Sequence, residues 1–153
     1  EFDDSVLVRR QGPLTKVNVK TLPYPGFPTD MHPQMTSLLC LANGVSYVTE
    51  GVFENRFKYV DELRRMGASI KVDGKTAIIE GGTPLSGAPV VSVDLRAGAA
   101  MIIAGLATSG KTVIGEIDSI ERGYDNIVEK LRSLGANVKK VRESDSVYMP
   151  LAN

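Results

Sequence analysis

The sequence predicts an α/β (α+β) protein built from two tandem βαβαββ units. Three observations carry that prediction: a repeated residue pattern, the order in which strand and helix periodicities alternate, and a contrast between two kinds of helix. Arg64-Arg65-Met66-Gly67-Ala68-Ser69-Ile70-Lys71 reads like Arg132-Ser133-Leu134-Gly135-Ala136-Asn137-Val138-Lys139, with the glycines 68 positions apart. Gly44 and Gly110, Glu50 and Glu116, and Arg56 and Arg122 are each 66 apart, and Asp30 and Asp94 are 64 apart. Collinear pairs with a small drift in spacing are what loop insertions in a duplicated unit produce.

The first unit spans about residues 15–81. Lys16–Thr21 alternates apolar and polar residues through Val17 and Val19, the period of a half-buried strand. Pro28-Thr29-Asp30 offers helix-start chemistry. Met31, Met35, Leu38, Leu39 and Ala42 follow at helical spacing, and Gly44 supplies the stop. Val45–Glu50 reads as a strand. Phe57, Val60, Leu63 and Met66 then define an amphipathic helix ending at Gly67. Ser69–Val72 and Thr76–Glu80 form a hairpin around Asp73-Gly74. Gly81–Pro89, rich in Gly and Pro, links the units.

The second unit, about residues 88–150, repeats the order. Strand Val90–Val93 leads into a helix opened by Asp94, then strand Thr112–Ile117, a helix around Tyr124–Leu134, and strands near Asn137–Val141 and Ser146–Met149. Ala97–Ala107 is apolar almost all round, the mark of a helix buried on every side. The second helices instead carry charge on one face: Lys58, Asp61, Glu62 and Arg65 in one, Asp125, Glu129, Lys130 and Arg132 in the other. The first helices are therefore expected inside, and the second helices over a sheet, facing water.

Composition closes off several function classes. The 153 residues carry 18 Lys+Arg against 18 Asp+Glu and are 42% hydrophobic, enough for one core burying roughly 68–70% of the unfolded surface. Zero net charge argues against general nucleic-acid binding. No apolar run is long enough to span a membrane. A single cysteine excludes a disulfide framework, no signal peptide is visible, and the expected location is cytoplasmic. One Cys and one His offer no metal cluster.

Gly105-Leu106-Ala107-Thr108-Ser109-Gly110-Lys111-Thr112 matches the phosphate-loop pattern G-x-x-x-x-G-K-[ST]. Such a loop must follow a strand and open a helix. Here an apolar helix precedes it and a strand follows, which favours a helix end and turn over a nucleotide site. Asp30 and Asp94 are candidate helix caps and candidate catalytic acids. Arg56 and Arg122 head the second helices, where a cation faces the positive end of the dipole, and Arg96 lies just after Asp94. Either these arginines form one local anion site, or they are solvated surface residues. His32, beside Pro33, is expected to be solvated, and Cys40 to be a buried inert thiol.

Phe27-Pro28-Thr29-Asp30-Met31, Phe53-Glu54-Asn55-Arg56-Phe57, Asp94-Leu95-Arg96-Ala97-Gly98, Arg122-Gly123-Tyr124 and Leu134-Gly135-Ala136 occur in this order. Together they closely resemble the enolpyruvyl transferases that act on UDP-N-acetylglucosamine. The likeness runs from about Val17 to Val141; the related shikimate-pathway enzymes share the fold but not these strings. The resemblance implies an inside-out α/β barrel of two domains, each of three βαβαββ units. This chain would then be a partial C-terminal domain with two of six units, needing the missing N-terminal part of the same enzyme.

The resemblance also implies site roles and no cofactor. Asp30 and Asp94 are implied as catalytic. Thr29, Asp30 and the main chain of Val52 are implied contacts to UDP-N-acetylglucosamine. Arg56, Arg96 and Arg122 are implied to bind the phosphate and carboxylate of phosphoenolpyruvate. His32 stands where the family often has Gln. Ser119-Ile120-Glu121 replaces a common His-Ile-Asp stretch. The whole enzyme would transfer enolpyruvate to the sugar 3-hydroxyl for peptidoglycan synthesis, and this chain alone is expected to be inactive. A non-catalytic folding module that self-associates is the alternative, and a phosphate-loop nucleotide binder a remote one.

Overall fold

A computed structural model describes residues 4–142. Eleven named strands and helices run in the order β1 (Val19–Lys20), α1 (His32–Leu39), β2 (Gly44–Thr49), α2 (Val60–Arg65), β3 (Ser69–Asp73), β4 (Thr76–Gly81), β5 (Pro89–Val91), α3 (Leu95–Leu106), β6 (Val113–Gly115), α4 (Asp118–Gly123) and α5 (Ile127–Ser133). A 3-10 turn, Thr29–Met31, leads into α1. Residues 19–81 thus follow the β-α-β-α-β-β order that the periodicities predict.

Four strands make one sheet in the order β1-β2-β4-β3. The β1–β2 pair is parallel, Val19 opposite Val48. β4 runs antiparallel to both β2 and β3, with Tyr47 opposite Ile78 and Ile70 opposite Ile79. Period-two alternation sends Ser46 and Val48, then Glu50 just past the strand, to the inner face. Ala77 and Ile79 of β4 and Ile70 of β3 join them in the core. β5 and β6 form a separate parallel pair, Val90 opposite Ile114.

Residue chemistry sets the element ends. Asp94 caps α3, its Oδ1 accepting from the N–H groups of Arg96 and Ala97 at 2.8 Å each, which satisfies two otherwise orphaned donors. Gly44, the first residue of β2, holds φ at +101°, a value costly for any residue with a Cβ. The hairpin turns at Gly74-Lys75, since Asp73 still pairs with Thr76.

α1 and α3 lie against each other, and the Ser37 hydroxyl reaches the Ala100 carbonyl at 3.2 Å. Small residues make that approach possible: Ala97, Gly98, Ala100 and Ala104 on α3 are buried. α3 is not buried on every side, however. Ile103 and Leu106 are 41% and 44% exposed. The Gly105–Thr112 motif falls on the last turn of α3 and the turn before β6, with Gly110 at φ +92°. It lies at a helix C-terminus, where carbonyls project, and opens no helix, as the order of elements predicts.

Several expectations are corrected. Glu62 does not face water: it is 5% exposed, and its Oε2 accepts from the Val91 N–H at 3.0 Å, tying α2 to β5. The first strand is shorter than Lys16–Thr21, although bridges at Thr15 and Thr21 extend its path. In the second half an unexpected helix, α4, forms from Asp118–Gly123, and the following helix is only Ile127–Ser133. Residues 137–141 carry no strand: with no neighbouring strand among the described residues, alternation alone gives them nothing there to pair with. The strand expected at Ser146–Met149 lies outside the described residues.

Gly98 provides a test of this packing. A Cβ there would run into the Ser92 hydroxyl and the Ile120 side chain of α4. In an open helix, Gly→Ala stabilises by about 1 kcal/mol; here the overpacking cost of about 1–3 kcal/mol opposes it. Gly98→Ala is therefore expected to lower the urea midpoint, and an unchanged or higher midpoint would contradict the α3–α4 contact.

Candidate functional site

The site is built where β2 ends and where the turn before α1 begins. Glu50 is 1% exposed, and a buried carboxylate must be surrounded by donors. The Thr21 hydroxyl donates to its Oε1 at 2.7 Å, as do the N–H groups of Val52 at 2.7 Å and Phe53 at 3.1 Å. The Thr29 hydroxyl donates to Oε2 at 2.8 Å. His32 Nδ1 lies 3.1 Å from that same oxygen, but off the line of an aligned hydrogen bond. One carboxylate thereby joins the end of β1, the start of the 3-10 turn and the loop after β2.

Burial by itself raises the Glu50 carboxyl; the hydrogen bonds from Thr21, Val52, Phe53 and Thr29 outweigh it and bring it down to about 2. Burial lowers His32 to about 4 against the pull of Glu50, so its imidazole is neutral at pH 7. Tyr59 Oη sits 2.9 Å from His32 Nε2 and 2.8 Å from Thr36 Oγ1. The Phe57 ring meets the imidazole edge-on at 4.8 Å between centroids.

Above this buried layer Asp30 is 55% exposed at its side chain. Its Oδ1 accepts from Arg56 at 3.1 Å and its Oδ2 from Arg96 at 2.8 Å. Arg96 also reaches the Tyr124 hydroxyl at 3.2 Å. That bond first, and Asp30 after it, raise the guanidinium further, so it stays cationic. Arg56 enters the site from a turn in which Asn55 takes φ +55°, a conformation Asn tolerates better than most residues. The guanidinium lies over the Phe53 ring, 5.3 Å from its centroid. On another side Arg56 lines a cleft of about 330 Å³ with Glu50, Phe53, Lys58, Arg64 and Lys75.

The structure thus brings together Thr29, Asp30, Val52, Arg56 and Arg96, and places Asp94 as the cap beside Arg96. Arg122 is not bonded to Asp30. It falls in the last turn of α4, its Nε donating to the Asp118 carbonyl at 3.3 Å, where a cation suits the negative end of the dipole. The expectation that Arg122 heads a helix is therefore corrected, and Arg56 likewise precedes α2 by a turn. Asp30 is not a helix cap: Pro28 holds that position for the 3-10 turn and Met31 for α1, and Asp30 spends both oxygens on arginines.

His32 is the clearest correction. It is fully buried at 0% exposure, held by Tyr59 and Phe57; Pro33 sits beside it at the first turn of a helix, where proline fits. Cys40 is buried as expected, and burial pushes its thiol up to about 12. Glu50, Tyr59 and Tyr124 were not singled out as site residues. The apolar-polar alternation of β2, continued by two residues past Val48, was the available signal for Glu50. Among the described residues no cluster of three or more His, Cys, Asp or Glu is placed to hold a metal ion, and no helix is long and apolar enough to cross a membrane.

A family model described as EPSP synthase (3-phosphoshikimate 1-carboxyvinyltransferase) matches residues 1–131. The chain belongs to the EPSP synthase family. Within the family its near relatives carry another substrate in their name. A UDP-N-acetylglucosamine 1-carboxyvinyltransferase 3 of Caldanaerobacter subterraneus subsp. tengcongensis is 54% identical over 143 residues, 94% of this chain and 34% of that protein. A UDP-N-acetylglucosamine 1-carboxyvinyltransferase of Desulfofundulus thermocisternus is 54% identical over 90% of this chain and 57% of its own length. The chain spans about a third of the length of most of the curated relatives it matches. Among solved structures, the enolpyruvyl transferase NikO from Streptomyces tendae superposes with a TM-score of 0.76 at 32% identity, over 84% of this chain and 30% of that one. An EPSP synthase from Acinetobacter baumannii, 20% identical, shares the fold over 67% of this chain with a TM-score of 0.53. The enolpyruvyl transferase fold read from the sequence motifs is the fold of this family.

The buried pair fixes the pH response of stability. The neutral imidazole of folded His32 must compete with an unfolded imidazole that binds a proton near 6.5, so stability falls as pH drops from about 6.5 toward 4. Glu50 adds a second loss below about 4.5, where the unfolded carboxyl becomes protonated and the folded one does not. Glu50→Gln is expected to cost about 2–4 kcal/mol at pH 7 and to flatten the acid limb below 4.5. Urea unfolding of both proteins across pH 3–8 measures this.

Proposed function

We propose that this chain is part of an enzyme that transfers enolpyruvate from phosphoenolpyruvate to the 3-hydroxyl of UDP-N-acetylglucosamine, in the cytoplasmic synthesis of peptidoglycan. The observation that carries the reading is the Asp30 carboxylate, clamped by Arg56 and Arg96 beside Thr29. Relatives 52–54% identical bearing that activity in their names support it.

The chemistry accounts for the residue types. The 3-hydroxyl oxygen bonds to C2 of phosphoenolpyruvate as its proton passes to a base and C3 takes a proton from an acid. The tetrahedral ketal then breaks its bond to phosphate, which leaves with the electron pair, and C3 gives back a proton. A multiply charged anion needs permanently charged planar donors to orient it, the property of arginine. Cations fixed in place also stabilise charge as it shifts during addition and elimination.

Without substrate, Asp30 stands in for an anion on both guanidiniums. Phosphoenolpyruvate competes for Arg56 and Arg96 through its phosphate and carboxylate, and frees the Asp30 oxygens to accept the sugar hydroxyl. Arg122 would join this anion site by movement of α4, and Asp94 acts by holding the start of α3 under Arg96. The Val52 N–H is committed to Glu50, so a main-chain contact to the sugar falls to its carbonyl. Because the chain covers only about a third of these relatives, it is expected alone to release no phosphate from the two substrates.

A second reading, a module that associates through apolar surface without catalysis, is favoured by Leu38 on α1 and Ile103 and Leu106 on α3, which are 40%, 41% and 44% exposed. Sedimentation separates the two: self-association would appear as a mass rising with concentration. The direct test of the main reading is an NMR titration with UDP-N-acetylglucosamine. Shifts clustered at Thr29, Asp30 and Val52 are expected, and Asp30→Asn is expected to abolish the shift at residue 30 while strengthening phosphoenolpyruvate binding through the released arginines. Shifts elsewhere, or none at millimolar ligand, would contradict it.

A further inference from the structure

The buried layer under Asp30 holds a histidine to which the functional reading gives no task. His32 is fully buried, and its two ring nitrogens face different partners: Nδ1 lies 3.1 Å from Glu50 Oε2, and Nε2 lies 2.9 Å from Tyr59 Oη. Where its proton sits follows from counting donors. Glu50 accepts from Thr21, Thr29, Val52 and Phe53, so it is an ionised carboxylate with no proton to offer. A bare Nδ1 lone pair against that oxygen would be repelled by it.

Two arrangements of the hydroxyl protons are open in the Thr36–Tyr59–His32 chain. In the first, Tyr59 donates to Thr36 at 2.8 Å, Thr36 donates to the His32 carbonyl at 3.1 Å, and Nε2–H donates to Tyr59. That leaves Nδ1 bare against Glu50. The second reverses the direction that the heavy-atom geometry gives the Tyr59–Thr36 bond: Thr36 donates to Tyr59, Tyr59 donates to Nε2, and Nδ1–H faces Glu50 Oε2 across 3.1 Å, off the line of an aligned hydrogen bond. It gives up the longer contact to the His32 carbonyl and removes the lone-pair clash. A doubly protonated ring would satisfy Glu50 too, but with 0% exposure and Arg56 nearby its second charge would go unsolvated.

We propose that His32 is a positioning residue: a neutral imidazole, protonated at Nδ1 and fixed by Tyr59, that holds the Glu50 carboxylate in place. Through Glu50 it fixes the Thr29 hydroxyl and the Val52 and Phe53 amides, and so the edge that carries Asp30. The claim that this edge is presented to substrate rests on the functional reading above; the proton assignment does not.

The chain has a single histidine, so its ring nitrogens give one unambiguous set of signals. Long-range proton–nitrogen NMR of the histidine-labelled chain at pH 7 is expected to show a protonated Nδ1 and an unprotonated Nε2. A protonated Nε2, alone or with Nδ1, overturns the proposal. Amide exchange provides the positional arm. A His32→Leu variant, lacking the donor, is expected to exchange the Val52 and Phe53 amides about tenfold faster, while the α1 amides change little. A His32→Gln variant can donate to Glu50 and accept from Tyr59, and is expected to restore slow exchange. Equal acceleration in both variants overturns the proposal. Should His32→Leu fail to fold, the tautomer in the unaltered chain still decides. Neither arm uses substrate, so absent UDP-N-acetylglucosamine binding would sink the functional reading and leave this one standing.

Discussion

A carboxylate without water is the constraint on which this structure turns. Glu50 sits just past the inward-facing positions Ser46 and Val48 of β2, where the sheet alternation carries it into the interior. An ion there is tolerable only if donors replace its hydration shell. Two threonine hydroxyls and two backbone amides do so. Those donors come from three separate stretches of chain. The need to solvate one charge therefore determines where the end of β1, the turn before α1 and the loop after β2 must meet.

The candidate site is layered on that knot. The same turn that gives Thr29 to Glu50 presents Asp30 on its outer side, and the same loop that gives Val52 and Phe53 leads into Asn55 and Arg56. Arg96 arrives from the other half of the molecule, at the first turn of a helix whose cap, Asp94, holds its backbone N–H. Exposed ion pairs such as these contribute little to stability. Their value is positional: a carboxylate and two guanidiniums are kept within reach of one another at a surface open to ligands.

Much of the fold was legible in the sequence. The first-half element order, the Asp94 cap, the Gly44 exit and the inverted phosphate-loop motif all rest on local signals, and local signals survive folding. What escaped depended on partners distant in sequence. His32 reads as a loop residue beside a proline, because nothing in its neighbourhood announces Tyr59, 27 residues on. Glu62 reads as part of a charged helix face, because its partner is the Val91 amide. The strand expected at 137–141 has alternation but no neighbouring strand among the described residues. Asp30, Arg56 and Arg96 were legible as candidate site residues through their motifs, whereas Glu50, which ties together the turn and the loop that precede two of them, carries no motif of its own.

Carbon-13 NMR of the Glu50 side-chain carboxyl, followed as pH is lowered, tests the central claim most directly. If the donors from Thr21, Thr29, Val52 and Phe53 solvate the buried ion, Glu50 will stay ionised through the range in which ordinary glutamates titrate and until the chain unfolds in acid. A midpoint at or above 4.5, its ordinary value, would mean that burial prevails over those donors and that the knot does not hold the site together.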